Sequence, residues 1–289
     1  MSFTCIPRKE LDTDWWDKQL QACSNALVFG NSWFWDALVG QNWTGFFHQE
    51  TGTMLQAAHR NILGLPISYL PPIWCRPSGP YTPNQELLPP FSEFRNSLAY
   101  TALNIELHLE WQGVPGEQKV YQRSPIPVEL KKNAIKNLKK NKGFDLLLTP
   151  TSPEFINAFF FLNRGKEMHQ LKGRWEKAIE RLMREGTKRG LAWNYSVQDK
   201  EGQSHAVACF FVYKNSLTYI HGSVNALGKK SGAMYYLFHE LLNRAAKQGL
   251  EFVDFGGSNQ KAIANFYQSF GGQDQTYTVY RQRKIPFSL

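Results

Sequence analysis

Residues 227–257, LGKKSGAMYYLFHELLNRAAKQGLEFVDFGG, read as a loop, a helix of about 17 residues, a glycine and a strand. Ser231 is the N-cap candidate and Gly249 stands at the C-cap position, so both ends of the helix are marked. A glycine loop that opens a helix after a strand offers unpaired backbone amides and the positive end of the helix dipole, which together suit a pyrophosphate. Lys229 and Lys230 would add charge there, and Gly232 would allow close backbone approach. The same residues also read as an ordinary loop before a capped helix. The patterns GxxxxGK[ST] and GxGxxG are absent, which excludes a P-loop and a dinucleotide fingerprint.

Downstream, a short helix near Ala262–Ser269 precedes an alternating strand, TYTVYRQ. Upstream lie strand candidates at Leu191–Val197, His205–Tyr213 and Leu217–His221, and before them a helix from about Lys166 to Thr187. Met168, Leu171, Trp175, Ala178, Ile179 and Leu182 recur along that helix at helical spacing. The first half has the same order: helices near Trp15–Ala22 and Ser32–Val39, strands at Thr44–His48, Thr53–His59 and Leu65–Tyr69, then the Pro-rich loop LPPIWCRPSGPYTPN. A helix near Phe91–Ala99 and the strand ALNIELHLEW complete it, with Leu103, Ile105, Leu107 and Leu109 on one face. Residue identity between the halves is low, so the repeat is one of order only.

The stretch 112–129, QGVPGEQKVYQRSPIPVE, is dense in Gly and Pro and lies where the charge balance flips, so the expected domains are 1–125 and 126–289. Residues 1–125 carry 8 Lys or Arg against 11 Asp or Glu, whereas 126–289 carry 25 against 13. Such asymmetry favours an anionic partner for the second half. Much of the charge lies in VELKKNAIKNLKKNKG, where Leu130, Ala134, Ile135 and Leu138 suggest a short amphipathic helix carrying six lysines between Lys131 and Lys142. A solvated helix face and a contact with cofactor, RNA or lipid phosphates both fit it.

With 289 residues, 42% hydrophobic and 20% charged, the composition is globular. No apolar run reaches the roughly 18 residues of a membrane span and the N-terminus lacks an apolar signal core, so a cytoplasmic protein is expected. Cys5, Cys23, Cys75 and Cys209 form no CxxC pair, so neither a disulfide framework nor a metal site is expected.

The 227–257 stretch resembles the GNAT acyltransferase superfamily, whose signature is [RQ]xxGx[GA] at a helix N-terminus after the fourth strand. Lys229 falls at the first place, Gly232 at the glycine and Met234 at the last. SNQKAIANFYQSFGG is similar to the second GNAT signature, NxxAxxxY, with Asn259, Ala262 and Ile263 in register, Phe266 at the tyrosine place and Tyr267 one residue late. DFGG at 254–257 and FYQSFGG at 266–272 resemble the FemAB-like group, which carries tandem GNAT domains and includes the peptidoglycan bridge-forming aminoacyltransferases. The phrase ALVFGNSWFWDAL is similar to that group's opening helix, and the Lys131–Lys142 run to its basic helix entering the second domain. The resemblance implies an α/β chain of two GNAT-like domains, each a mixed, mostly antiparallel sheet flanked by helices, with the second holding the better-preserved donor motif.

It further implies an N-acyltransferase moving an acyl group from acetyl-CoA or another acyl-CoA to a small-molecule or peptide-like amine, without a metal. Lys229, Lys230, Ser231, Gly232, Ala233 and Asn259 are the donor-binding candidates; His221, Asp254 and Tyr267 are the proton-transfer candidates. Each of the three also has a structural reading, as a tethered strand histidine, a turn cap and a core hydroxyl. The basic half keeps open an aminoacyl-tRNA donor and a cell-wall precursor acceptor. Met234 and the late tyrosine keep open a non-catalytic binding module. The Trp15, Trp16, Trp33, Trp35 and Trp43 group reads as core.

Overall fold

The chain divides into Met1–Lys119 with Thr276–Leu289, the first unit, and Val120–Gln275, the second. The computed structural model describes residues 2–62, 65–69, 74–98, 104–164, 172–257 and 259–283. Leu103, Met168 and Leu171, read above as core positions, lie outside them. Among the described residues no helix is long and apolar enough to cross a membrane.

The first unit runs β1 (Thr4–Pro7), α1 (Thr13–Ala22), α2 (Ser32–Val39), β2 (Trp43–His48), β3 (Thr53–Ile62), β4 (Leu65–Tyr69), α3 (Phe91–Leu98) and β5 (Asn104–Leu109). Its sheet is ordered β1, β2, β3, β4, β5 and then β12 (Gln273–Arg283). Asp12 caps α1, accepting from the amides of Asp14 and Trp15. The tryptophan-rich phrase forms core: Trp16, Trp35 and Trp43 are fully buried. On the other face Ile105, Leu107 and Leu109 pack with Phe94 and Leu98 of α3, as alternation requires.

Strands β4 and β5 are parallel and, among the described residues, pair at Ser68↔Asn104 and Tyr69↔Ile105. Beyond the end of β4, the Pro-rich loop returns between β3 and β5. Met54 and Tyr81 exchange two backbone hydrogen bonds of 2.8 Å, Gln56 N donates to Ser78 O, Ser78 N donates to His108 O, and Glu110 N donates to Gly79 O. Gly79 holds φ +116 there, and a Cβ would stand 3.0 Å from Met54 O.

The second unit runs β6 (Glu117–Pro125), α4 (Lys132–Leu138), β7 (Leu147–Pro150), α5 (Pro153–Arg164), α6 (Arg174–Lys188), β8 (Ala192–Gln198), β9 (Ser204–Tyr213), β10 (Ser216–Val224), α7 (Ala226–Ser231), α8 (Ala233–Lys247), β11 (Phe252–Gly257) and α9 (Lys261–Gln268). The chain crosses between units within β6 and within β12. The sheet order is β6, β11, β10, β9, β8, β7. Leu237, Phe238, Leu241 and Ala245 of α8 form its core with Phe210, Leu217, Val253 and Phe255.

Three sequence expectations change. The Gly- and Pro-dense stretch before 126 contains strand β6, which pairs with β11 from Tyr121 to Pro125. The single helix expected before β8 begins at Arg174 over its described part, and a second helix, α5, lies ahead of it. Ile135 is exposed, since only Ala134 of α4 turns fully into the core.

Candidate functional site

Strands β10 and β11 are parallel and pair at Ser216↔Phe252, Leu217↔Val253 and Thr218↔Asp254. No further pairing joins them among the described residues. Strand β10 continues to Val224 on β9 alone, with a register shift between Tyr219 and His221. Strand β11 follows β6 instead, with its own shift between Asp254 and Gly256. The DFGG sequence produces this turn. Gly256 takes φ +81, a conformation that favours glycine, and its amide donates to Asp254 Oδ1 at 2.8 Å. A wedge therefore opens between the strands just past Asp254.

Asp254 is buried, and burial raises its carboxyl above the ordinary range while the Arg123 guanidinium opposes the rise. Arg123, on β6, donates from Nε to Asp254 Oδ2 at 3.4 Å. Its guanidinium lies over the rings of Tyr121 at 4.9 Å and Phe252 at 5.5 Å, which fix its direction. Tyr267, on α9, stacks on Phe255 at 5.1 Å and stands 6.3 Å from the ring of Tyr219. Burial, with Tyr219 and Asp254 nearby, pushes the Tyr267 hydroxyl well above its ordinary value. Burial raises Tyr219 as well, so both phenols keep their protons at neutral pH.

His221 faces away from this group. Its ring lies 4.1 Å from that of Phe160 on α5, whereas Tyr219 and Tyr267 pack with the α8 core. Burial lowers its pKa to about 3, which makes it a weak base at neutral pH.

The expected loop at 227–233 is helix α7 and a corner. Asn225 caps α7 by accepting from Gly228 N, and Gly232 ends it in the left-handed conformation, φ +70, before α8 begins. The N-cap of α8 is therefore Gly232, and Ser231 is the last residue of α7. Lys229 and Lys230 are exposed in that last turn. Ser231 turns inward, fully buried, with its hydroxyl 3.0 Å from His205 Nδ1. Ala233 starts the α8 core. A Cβ on Gly232 would stand 2.5 Å from Asn137 O, so the basic helix α4 packs against the corner. Asn259 is exposed, and Val120 N donates to its Oδ1 at 3.5 Å.

The structure thus brings Asp254 and Tyr267 within electrostatic reach, and separates His221 from Tyr267 by the sheet. Sequence reading missed Arg123, which lay in the stretch taken for the domain boundary, with no local pattern to mark it. Among the described residues no group of three His, Cys, Asp or Glu stands together in a way that could hold a metal ion.

Residues 131–268 match the family model of the acetyltransferase (GNAT) domain. Among solved structures, the chain is similar to FemX, at 10% identity and a TM-score of 0.65, with 97% of this chain and 98% of that one covered. It is similar to L-PGS from Bacillus licheniformis at 14% identity and a TM-score of 0.56, covering 94% and 92%. A tandem GNAT protein from the clavulanic acid biosynthesis pathway, solved without AcCoA, aligns at 10% identity and a TM-score of 0.52, covering 99% and 100%. None of the curated proteins matches the sequence. Residues 131–268 thus carry an acetyltransferase (GNAT) domain, and the fold of the chain is similar to those of FemX and a tandem GNAT protein.

Proposed function

We propose that the protein moves an acyl group from a CoA-type thioester to an amine in the wedge between β10 and β11. The observation that carries the reading is the end of pairing at Thr218↔Asp254, with buried Asp254, its partner Arg123 and protonated Tyr267 gathered there. The surroundings fit a CoA-type donor. Lys229 and Lys230, exposed and in no ion pair among the described residues, suit its phosphates together with the Gly232–Ala233 corner.

The bound donor supplies a thioester carbonyl open to attack and a thiol as leaving group. Asp254 takes the proton shed by the amine as the C–N bond forms. Tyr267 gives its proton to the sulfur as the C–S bond breaks. Arg123 keeps the Asp254 carboxylate oriented and opposes the burial that would neutralise it. His221, a weak base packed on Phe160, has no part in this scheme.

Calorimetric titration with acetyl-CoA and CoA at two salt concentrations tests the reading, with Asp254→Asn as the chemical control. Binding by both proteins and turnover only by the wild type are expected; no binding by the wild type sinks the acyl-CoA donor.

A second reading, an aminoacyl-tRNA donor, rests on the charge around the same corner. Residues 120–275 carry 23 Lys or Arg against 13 Asp or Glu. Lys132, Lys136, Lys139, Lys140 and Lys142 are exposed on α4 and the 3-10 turn after it, beside Gly232. Affinity for tRNA would fall steeply with salt, and that for acyl-CoA much less. Both donors are cytoplasmic molecules, and we assign the protein to that compartment on that ground.

A further inference from the structure

Ser231 belongs to a buried chain of hydrogen bonds: its Oγ lies 3.0 Å from His205 Nδ1, and His205 Nε2 lies 2.9 Å from Asp199 Oδ2. The composition is that of a nucleophilic triad. Here it ties elements together: Ser231 is fully buried at the end of α7 and His205 is 2% exposed at the start of β9. The carboxylate can only accept, so Nε2 donates to Asp199, while Ser231 Oγ bonds Nδ1 and also reaches Gly228 O at 3.4 Å.

These bonds tie the hairpin between β8 and β9 to the end of α7. Asp199 lies in that hairpin, where its Oδ1 also accepts from Gln203 N at 2.8 Å. His205 is at the start of β9, and the ring of Phe144 covers it edge-on at 6.1 Å. The other end of α7 is tied to the same hairpin. Asn225 N donates to His205 O at 3.1 Å, and Asn225 Nδ2 donates to Ser204 O at 2.9 Å. Gly228 lies so close beneath that a Cβ would overlap His205 O. Helix α7 has only six residues, too few to be stable alone. Its position is therefore set by these ties, by Asn225 at its start and Ser231 at its end.

We infer that Asp199, His205 and Ser231 are positioning residues that hold α7 and the Gly232 corner in the arrangement that receives the donor's phosphates. The inference rests on the donor reading above, and assigns Ser231 a role through His205 rather than on the phosphate.

Hydrogen exchange and steady-state kinetics test it together, with Ser231→Ala, Asp199→Asn and His205→Ala. The surface variant Lys200→Ala, which removes only the exposed pair with Asp145, is the control. In the free protein, amides 226–232 are expected to exchange faster in all three variants than in the control. The donor KM is expected to rise about tenfold, the loss of one buried hydrogen-bond partner, with kcat within about twofold. His205→Gln, which keeps one donor and one acceptor, should recover part of the His205→Ala loss. If His205→Ala fails to fold, Ser231→Ala and Asp199→Asn carry the test alone. Unchanged exchange at 226–232 in both overturns the proposal, as does faster exchange with an unmoved KM. Titration of the wild type with acetyl-CoA judges the donor reading separately, since the exchange measurement uses no donor.

Discussion

The two units run through the same elements, β1-α1-α2-β2-β3-β4-α3-β5 and β7-α5-α6-β8-β9-β10-α8-β11, with α7 added before α8. In each, the fourth and fifth strands are parallel and pair over two or three of the described residues. They differ in how the gap beyond that pairing is treated. In the first unit the chain's own Ser78–Tyr81 segment occupies the gap, hydrogen-bonded to β3 on one side and β5 on the other. Asn25 adds a clasp, donating to Pro80 O and accepting from Thr82 N, each at 2.8 Å. In the second unit no described segment pairs into the gap. The shared topology is thus filled in one unit, and in the other no described segment fills it.

The steepest loss is expected where the open gap meets its chemistry. Asp254→Asn should lower kcat at least about 100-fold with donor binding retained, and Tyr267→Phe should cost about 10- to 100-fold. An Asp254→Asn enzyme of normal rate would remove the carboxylate from the scheme. The filled gap makes its own claim: acetyl-CoA should titrate to one molecule per chain. A second site of similar affinity would mean that the Ser78–Tyr81 segment does not close the first gap.

Next come the two glycines that hold each arrangement. Gly232→Ala forces a Cβ to 2.5 Å from the Asn137 carbonyl at φ +70, and should destabilise the protein by about 2 kcal/mol or more and weaken donor binding. Gly79→Ala places a Cβ 3.0 Å from Met54 O at φ +116. It should cost about 1–2 kcal/mol in thermal unfolding and leave donor affinity where it was. Equal loss of donor binding in both variants would show that the two gaps are not functionally distinct.

Sequence reading recovers the elements whose pattern is local. Helix α2 at Ser32–Val39 and strand β4 at Leu65–Tyr69 fall where their apolar spacing puts them. It loses what depends on neighbours. The turn into α8 looked like a loop because Gly228 and Gly232 are poor helix residues, yet Asn225 and His205 close a helix around the first of them. The filling of the first gap was illegible, since a Pro-rich loop does not announce that it will lie between two strands. Of the candidate site, Asp254 and Tyr267 were visible through the DFGG and FYQSFGG phrases. Arg123, whose role arises from β6 pairing with β11 across 131 positions, was not.

The finest distinction between the units is one of pH. Each holds a deeply buried histidine of depressed pKa: His221, at about 3, and His108, brought to about 4 by burial and by Arg76 against the pull of Glu106. Both stay neutral when folded, while the unfolded chain takes up a proton below about 6.5. Each therefore supports stability above that pH and loses it as pH falls, by at most about 1.4 kcal/mol per pH unit. Asp254 works in the opposite sense, its raised carboxyl costing stability as pH rises from the ordinary carboxylate range. His221→Gln and His108→Gln should each flatten the acid limb of a stability profile measured by denaturant unfolding. Below about pH 4 His108 is protonated in both states, so only His221 adds slope between there and about pH 3. A His108→Gln variant that flattens that last interval, or a His221→Gln variant that does not, would mean the two burial environments are not as different as their ring contacts indicate.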